Sequence, residues 1–160
     1  MTEDPAAERR ESPANQADPA APVIVAGVDG SPTSWDAFSW AAGEALRSNG
    51  RLIVVYVMPF TEPAAALAVP YDYAGLENTR QAIARELEDE AGRRARELGI
   101  TISFVSEYGN ATETLADIAR SVNAKLVVVG RSAKRWHQVA GSLSHRLTCR
   151  KDAPVVVVVP

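Results

Sequence analysis

Cysteine is almost missing from this chain: Cys149 stands alone among 160 residues. An intramolecular disulfide is therefore excluded, and a reducing, cytoplasmic setting is the natural expectation. No histidine is evidently paired with that thiol, which argues against a cysteine nucleophile. Histidine is scarce too. His137 and His145 have neither metal-ligand spacing nor an acid close by, so no metal site is expected. No stretch approaches the roughly 18 apolar residues that cross a bilayer, and none of the first residues forms an apolar signal core. Neither membrane insertion nor export is expected. The common phosphate and nucleophile signatures are absent as well: no G-x-x-x-x-G-K-S/T, no G-x-G-x-x-G, no G-x-S-x-G.

Charge of one sign is also lacking. The net charge is −3, and the imbalance lies wholly in residues 1–22, where five acids face Arg9 and Arg10. Residues 23–160 are neutral, which argues against bulk nucleic-acid binding. One local field stands out. From Gly130 to Lys151 there are six Lys or Arg and no acid.

What is present is a set of short runs, apolar at every position. Val23 to Val28 opens the series, Leu126 to Val129 continues it, and Val155, Val156, Val157, Val158 and Val159 close it. Such runs read as strands of a parallel sheet buried on both faces. Between them the periodicity turns helical. Ser31-Pro32-Thr33 starts a helix that Asn49-Gly50 stops, with Phe38, Ala41, Ala42, Ala45 and Leu46 on its apolar face. Arg51 to Met58 is a strand, and residues 59–73 form a long loop with three prolines. A helix over about 74–98 follows, its stripe being Leu76, Ile83, Leu87, Ala91, Ala95 and Leu98. Ile100 to Glu107 is the next strand. Asn110 and Glu113 have capping-box spacing before Leu115, Ile118, Ala119 and Val122. A last helix falls near 139–150. Residues 1–22, rich in Pro and Ala with no large apolar side chain, read as a disordered tail before a single domain over 23–160.

In sheets of this kind, ligands bind beyond the carboxyl ends of the strands. Two runs end on suitable residues, Asp29-Gly30-Ser31 and Gly130-Arg131-Ser132. Asp29 serves equally as a ribose acceptor or as a turn residue. Gly141-Ser142 falls at a helix start, where free N–H groups and the helix dipole attract anions. Arg131, Lys134 and Arg135 supply charge for phosphates. No residue there is an evident general base, so fast turnover is not expected.

These residues together resemble the universal stress protein family. The carriers are Val28-Asp29-Gly30-Ser31, Leu52 to Val57, Ala124 to Gly130, and Gly141-Ser142 through Ala153 to Val159. The resemblance covers residues 22–160. It implies an α/β Rossmann-like fold: one doubly wound, five-stranded parallel sheet of order 3-2-1-4-5 with four helices. It implies ATP or another adenine nucleotide in those members that bind one, with Mg²⁺ where a triphosphate is held, and at most a slow ATPase. By resemblance, Asp29 meets ribose, the main chain around Val57 meets the adenine, Gly130, Gly141, Ser142 and Ser144 meet phosphates, and Gly27, Val129, Ala133 and Leu143 belong to the same nucleotide site. The family pattern G-x2-G-x9-G-S/T is altered here. Ala133 replaces the second glycine, and seven residues rather than nine separate it from Gly141. Two readings stay open: a nucleotide-binding regulator, or an interaction module with a vestigial pocket. An enzyme of the wider adenine-nucleotide hydrolase group is disfavoured, since Asp29-Gly30-Ser31 takes the place of a glycine-rich pyrophosphate loop. In the implied order Val155–Val159 is an edge strand, an open template that a homodimer would cover.

Overall fold

The computed structural model describes residues 20–59, 73–131, 147 and 154–160; residues 73, 74 and 76 are described by backbone alone. The elements run β1 (Val23–Gly27), α1 (Pro32–Ser48), β2 (Arg51–Met58), α2 (Tyr73–Leu98), β3 (Ile102–Tyr108), α3 (Ala111–Ser121), β4 (Leu126–Gly130) and β5 (Val155–Val159). All strand pairs are parallel, and the sheet order is β3-β2-β1-β4-β5. The β1–β2 ladder is joined from before its start, because Arg51 N–H donates to the Pro22 carbonyl at 2.9 Å. The expected tail otherwise lies outside the described residues.

The apolar runs follow from helices on both faces. On one side α1 and α2 bring Phe38, Ala41, Ala91 and Ala95 onto Ile24, Ala26, Val54 and Val128. On the other, Leu115, Ala116 and Ala119 of α3, with Leu147, cover Val25, Val55, Val127 and Val129. Successive residues of β1 thus enter opposite cores, so no position tolerates a polar side chain. Phe38 is wholly buried, which is worth about 1.5–3 kcal/mol.

Local chemistry sets the helix bounds. Ser31 caps α1, its side chain accepting from Ser34 N–H, and Pro32 occupies the first turn. Asn49, at φ 49°, ends it in the left-handed conformation. Asn110 caps α3 through bonds from the N–H groups of Thr112 and Glu113.

Several expectations are corrected. Leu46, Ile83 and Leu98 are 54%, 40% and 44% exposed, because each lies at the margin of its helical stripe; Ala84 is buried on α2 instead. The strand expected from Ile100 to Glu107 runs instead from Ile102 to Tyr108, as β3. The valine strand is not buried on both faces: Val155 is 64% and Val158 39% exposed, as befits an edge. Three helices lie among the described residues. The expected fourth, near 139–150, lies outside them except for Leu147, which is helical and buried. Among the described residues no helix is long and apolar enough to cross a membrane.

Candidate functional site

The chain reverses direction across the sheet between β1 and β4, with α1 leaving β1 on one face and α3 entering β4 from the other. Helices therefore diverge at the carboxyl ends of these strands and open a crevice. A cavity of about 130 Å³ lies there. Val55, Val57, Ala111 and Leu115 form its apolar wall, and Asp29, Ser31, Thr33 and Ser34 its polar side. Gly27, Val28 and Gly130 complete it.

The two glycines do different work. A Cβ on Gly27 would stand 3.1 Å from Leu115 Cδ1 and 3.3 Å from Val129 Cγ1, so glycine here keeps open the space beside the wall. A Cβ on Gly130 would stand 2.4 Å from the Thr33 carbonyl oxygen and 2.7 Å from Ser34 N. Those are backbone atoms, so Gly130 is what lets β4 meet the first turn of α1.

Asp29 sits at the rim within a closed set of local bonds. Its Oδ1 accepts from Ser31 N–H at 3.0 Å, and its own N–H donates to Ser34 Oγ at 3.3 Å. Ser34 Oγ in turn donates to the Ser31 carbonyl at 2.8 Å. Burial is the largest influence on the carboxyl and pushes its pKa up. The bonds from Ser31, Ser34 and the backbone outweigh it together, so the carboxyl lies below its ordinary range. Asp29 is thus an anion at neutral pH, held in the turn that its sequence position allows and lining the cavity. Gly30, at φ 83°, takes the left-handed conformation that the turn requires.

A second polar row lies beyond Asp29 on the α1–α2 face. Burial raises the pKa of Tyr56, and the charge of Asp29 raises it further. Tyr108 donates to Glu77, tying β3 to the start of α2. A wider opening of about 1040 Å³ also touches Asp29 and Gly30. Its lining, from Ile83 and Leu87 to Glu88 and Arg96, spans nearly the whole circumference of α2, so it is open surface around a helix.

Of the residues expected at the site, Gly27, Asp29, Val57 and Gly130 line the cavity. Val129 is buried just below, in the core that Leu115 completes. Arg131 is exposed and follows directly on Gly130. Ala133, Lys134, Arg135, Gly141, Ser142, Leu143 and Ser144 lie outside the described residues. The sequence reading missed Val28, Thr33, Ser34, Val55, Ala111 and Leu115 as wall residues. Val55 carried a signal, since it lies two before Val57 and shares its face. Leu115 and Ala111 carried none beyond a helical stripe. Among the described residues no group of His, Cys, Asp or Glu could hold a metal ion.

Residues 22–159 match the universal stress protein family. The universal stress protein Rv1996 of Mycobacterium tuberculosis is 31% identical over 154 residues, covering 84% of this chain and 47% of that protein. The chain therefore spans about half the length of that relative. A universal stress protein solved in complex with cAMP is 25% identical, with a TM-score of 0.65 over 87% of this chain and 97% of that one. UspA from Lactobacillus plantarum, at 22% identity, shares the fold with a TM-score of 0.67 over 87% and 97% of the two chains. With a match across 22–159 and a parallel sheet of order 3-2-1-4-5, the chain belongs to the universal stress protein family.

Proposed function

We propose that this chain binds an adenine nucleotide as a regulatory ligand and does not turn it over quickly. One observation carries the reading: an apolar slot at the β1–β4 switch point, kept open at Gly27 and bordered by an ionised Asp29. Its 130 Å³ is well below the roughly 300–1,000 Å³ of pockets that enclose a drug-sized ligand. It suits one planar base between Val57 and Leu115. Ribose then reaches Asp29, whose carboxylate is an acceptor for two hydroxyls. Phosphates continue past Gly130 toward Arg131 and the basic stretch that follows. The relative solved with cAMP supports an adenine ligand.

Rapid hydrolysis is not part of the proposal. Among the described residues Asp29 is the sole titratable side chain lining the cavity, and a carboxyl held below its ordinary pKa is a weak general base. ATP with Mg²⁺ is one candidate ligand, and in this reading the described residues meet its base and ribose end.

We further propose a cytoplasmic homodimer through β5. Among the described residues nothing pairs with the outer side of that strand, and Val155 and Val158 are exposed. An uncharged edge of valines is an open pairing template, and a two-fold copy would close it.

Titration calorimetry with ATP, ADP, AMP and cAMP tests the ligand. Saturable binding of at least one, weakened in Asp29→Asn, is expected. No heat with any of the four would favour the interaction-module reading.

A further inference from the structure

The chain leaves β4 through Arg131, and both backbone groups of that residue are engaged. Its N–H donates to the Val159 carbonyl at 2.8 Å, extending the β4–β5 ladder. Its carbonyl accepts from Thr33 Oγ1 at 3.0 Å, across 98 residues of sequence. A hydroxyl has one proton to give. With that proton on Arg131, the Thr33 oxygen remains an acceptor, and Ser31 Oγ lies 3.3 Å away. Ser31 is tied to Asp29 by its backbone, its N–H donating to Asp29 Oδ1 at 3.0 Å. Contacts thus lead from Asp29 through the backbone and hydroxyl of Ser31 and the hydroxyl of Thr33 to the first residue beyond β4.

Neither capping nor packing accounts for the Thr33 hydroxyl. Ser31 is the cap of α1, accepting from Ser34 N–H at 3.2 Å. The close approach of α1 to β4 is made by backbone at Gly130. What the hydroxyl adds is a fixed direction for the Arg131 carbonyl.

We propose that Thr33 is a positioning residue for the phosphate end of the ligand. It fixes the backbone of Arg131, and so the distance from Asp29 to the first charged residue beyond Gly130. The inference rests on the nucleotide reading of the same site. In that reading a ligand with phosphates reaches past Gly130 to Arg131, whereas adenosine does not.

The test compares Thr33→Val, which removes the hydroxyl and keeps the shape, with Thr33→Ser, which keeps the hydroxyl. Calorimetry with adenosine and ATP is expected to show Thr33→Val weakening ATP at least fivefold more than adenosine, with Thr33→Ser close to wild type. Equal weakening of both ligands, or no weakening, would overturn the proposal. So would a Thr33→Ser protein that behaves like Thr33→Val. A second readout needs no ligand. The Arg131 carbonyl belongs to the bond that trypsin cuts after Arg131. Native Thr33→Val is expected to be cut there several-fold faster than wild type or Thr33→Ser, as followed by mass spectrometry. Equal rates would overturn the role of Thr33 whatever binds. Absence of ligand binding to wild type, with faster cutting in Thr33→Val, would remove the nucleotide reading and leave the positioning contact standing. Should Thr33→Val not fold, Thr33→Ala carries the same comparison without added bulk.

Discussion

Gly27→Ala adds one methyl group to the cavity and nothing else. Its Cβ would stand 3.1 and 3.5 Å from the two Leu115 methyls and 3.3 Å from Val129 Cγ1. These are side-chain ends, and Leu115 can yield by a few tenths of an ångström in the free protein. The stability cost then lies at the low end for overpacking, about 1 kcal/mol, or a fall of about 4 °C in Tm. With a base in the slot Leu115 has no room to retreat. The overpacking then falls on the complex, at about 1–3 kcal/mol, which is roughly 5- to 150-fold in Kd. Calorimetry with AMP and adenosine measures this, and both are expected to weaken alike because both carry the base. Wild-type affinity in Gly27→Ala, with the fold intact by circular dichroism, would refute the reasoning: the ligand would not use this cavity.

Three other outcomes follow from single residues. Gly130→Ala places Cβ 2.4 Å from a backbone oxygen, so it is expected to cost more than about 2 kcal/mol in urea melts, and a neutral effect would contradict the packing of β4 on α1. Asp29→Asn is expected to cost about 1.5–3 kcal/mol of nucleotide affinity by calorimetry, the worth of a hydrogen bond to a charged group. The same variant changes acid stability. Because the folded carboxyl is held below its ordinary pKa, its stabilisation is present above about pH 4 and is lost as pH falls through the folded value. Wild type should therefore lose stability below pH 4 more steeply than Asp29→Asn in otherwise matched melts. Val155→Lys puts a charge on the 64% exposed end of β5 without emptying a core position, and light scattering is expected to show monomer where wild type is dimer. A wild-type monomer at micromolar concentration would remove the edge-pairing proposal.

The fold was legible wherever burial acts on every residue of a run. β1 and β4 announce themselves because successive side chains enter two cores, β5 because it is an unbroken run of valines, and the caps Ser31, Asn49 and Asn110 act within a few residues of sequence. Periodicity gave no strand order; that came from the family resemblance. Stripe margins were misjudged at Leu46, Ile83 and Leu98, since a 3.6-residue period does not say how wide the covered face is. At the site, Asp29 and Gly130 drew notice because they end strands. The reason for Gly130 was hidden, as it depends on backbone atoms of Thr33 and Ser34 nearly a hundred residues earlier. The same holds for the Thr33–Arg131 bond and for Leu115 opposite Gly27. Contacts of that range are set by topology and leave no local pattern.

The central claim is that the slot at the β1–β4 switch point holds an adenine nucleotide. Mass spectrometry of small molecules released on denaturing the freshly purified full chain tests it most directly. An adenine nucleotide at near one equivalent per chain in wild type, and well below that in Gly27→Ala, is the predicted result. Release of no adenine compound from wild type, together with an unchanged Tm on adding ATP, ADP, AMP or cAMP, would contradict it.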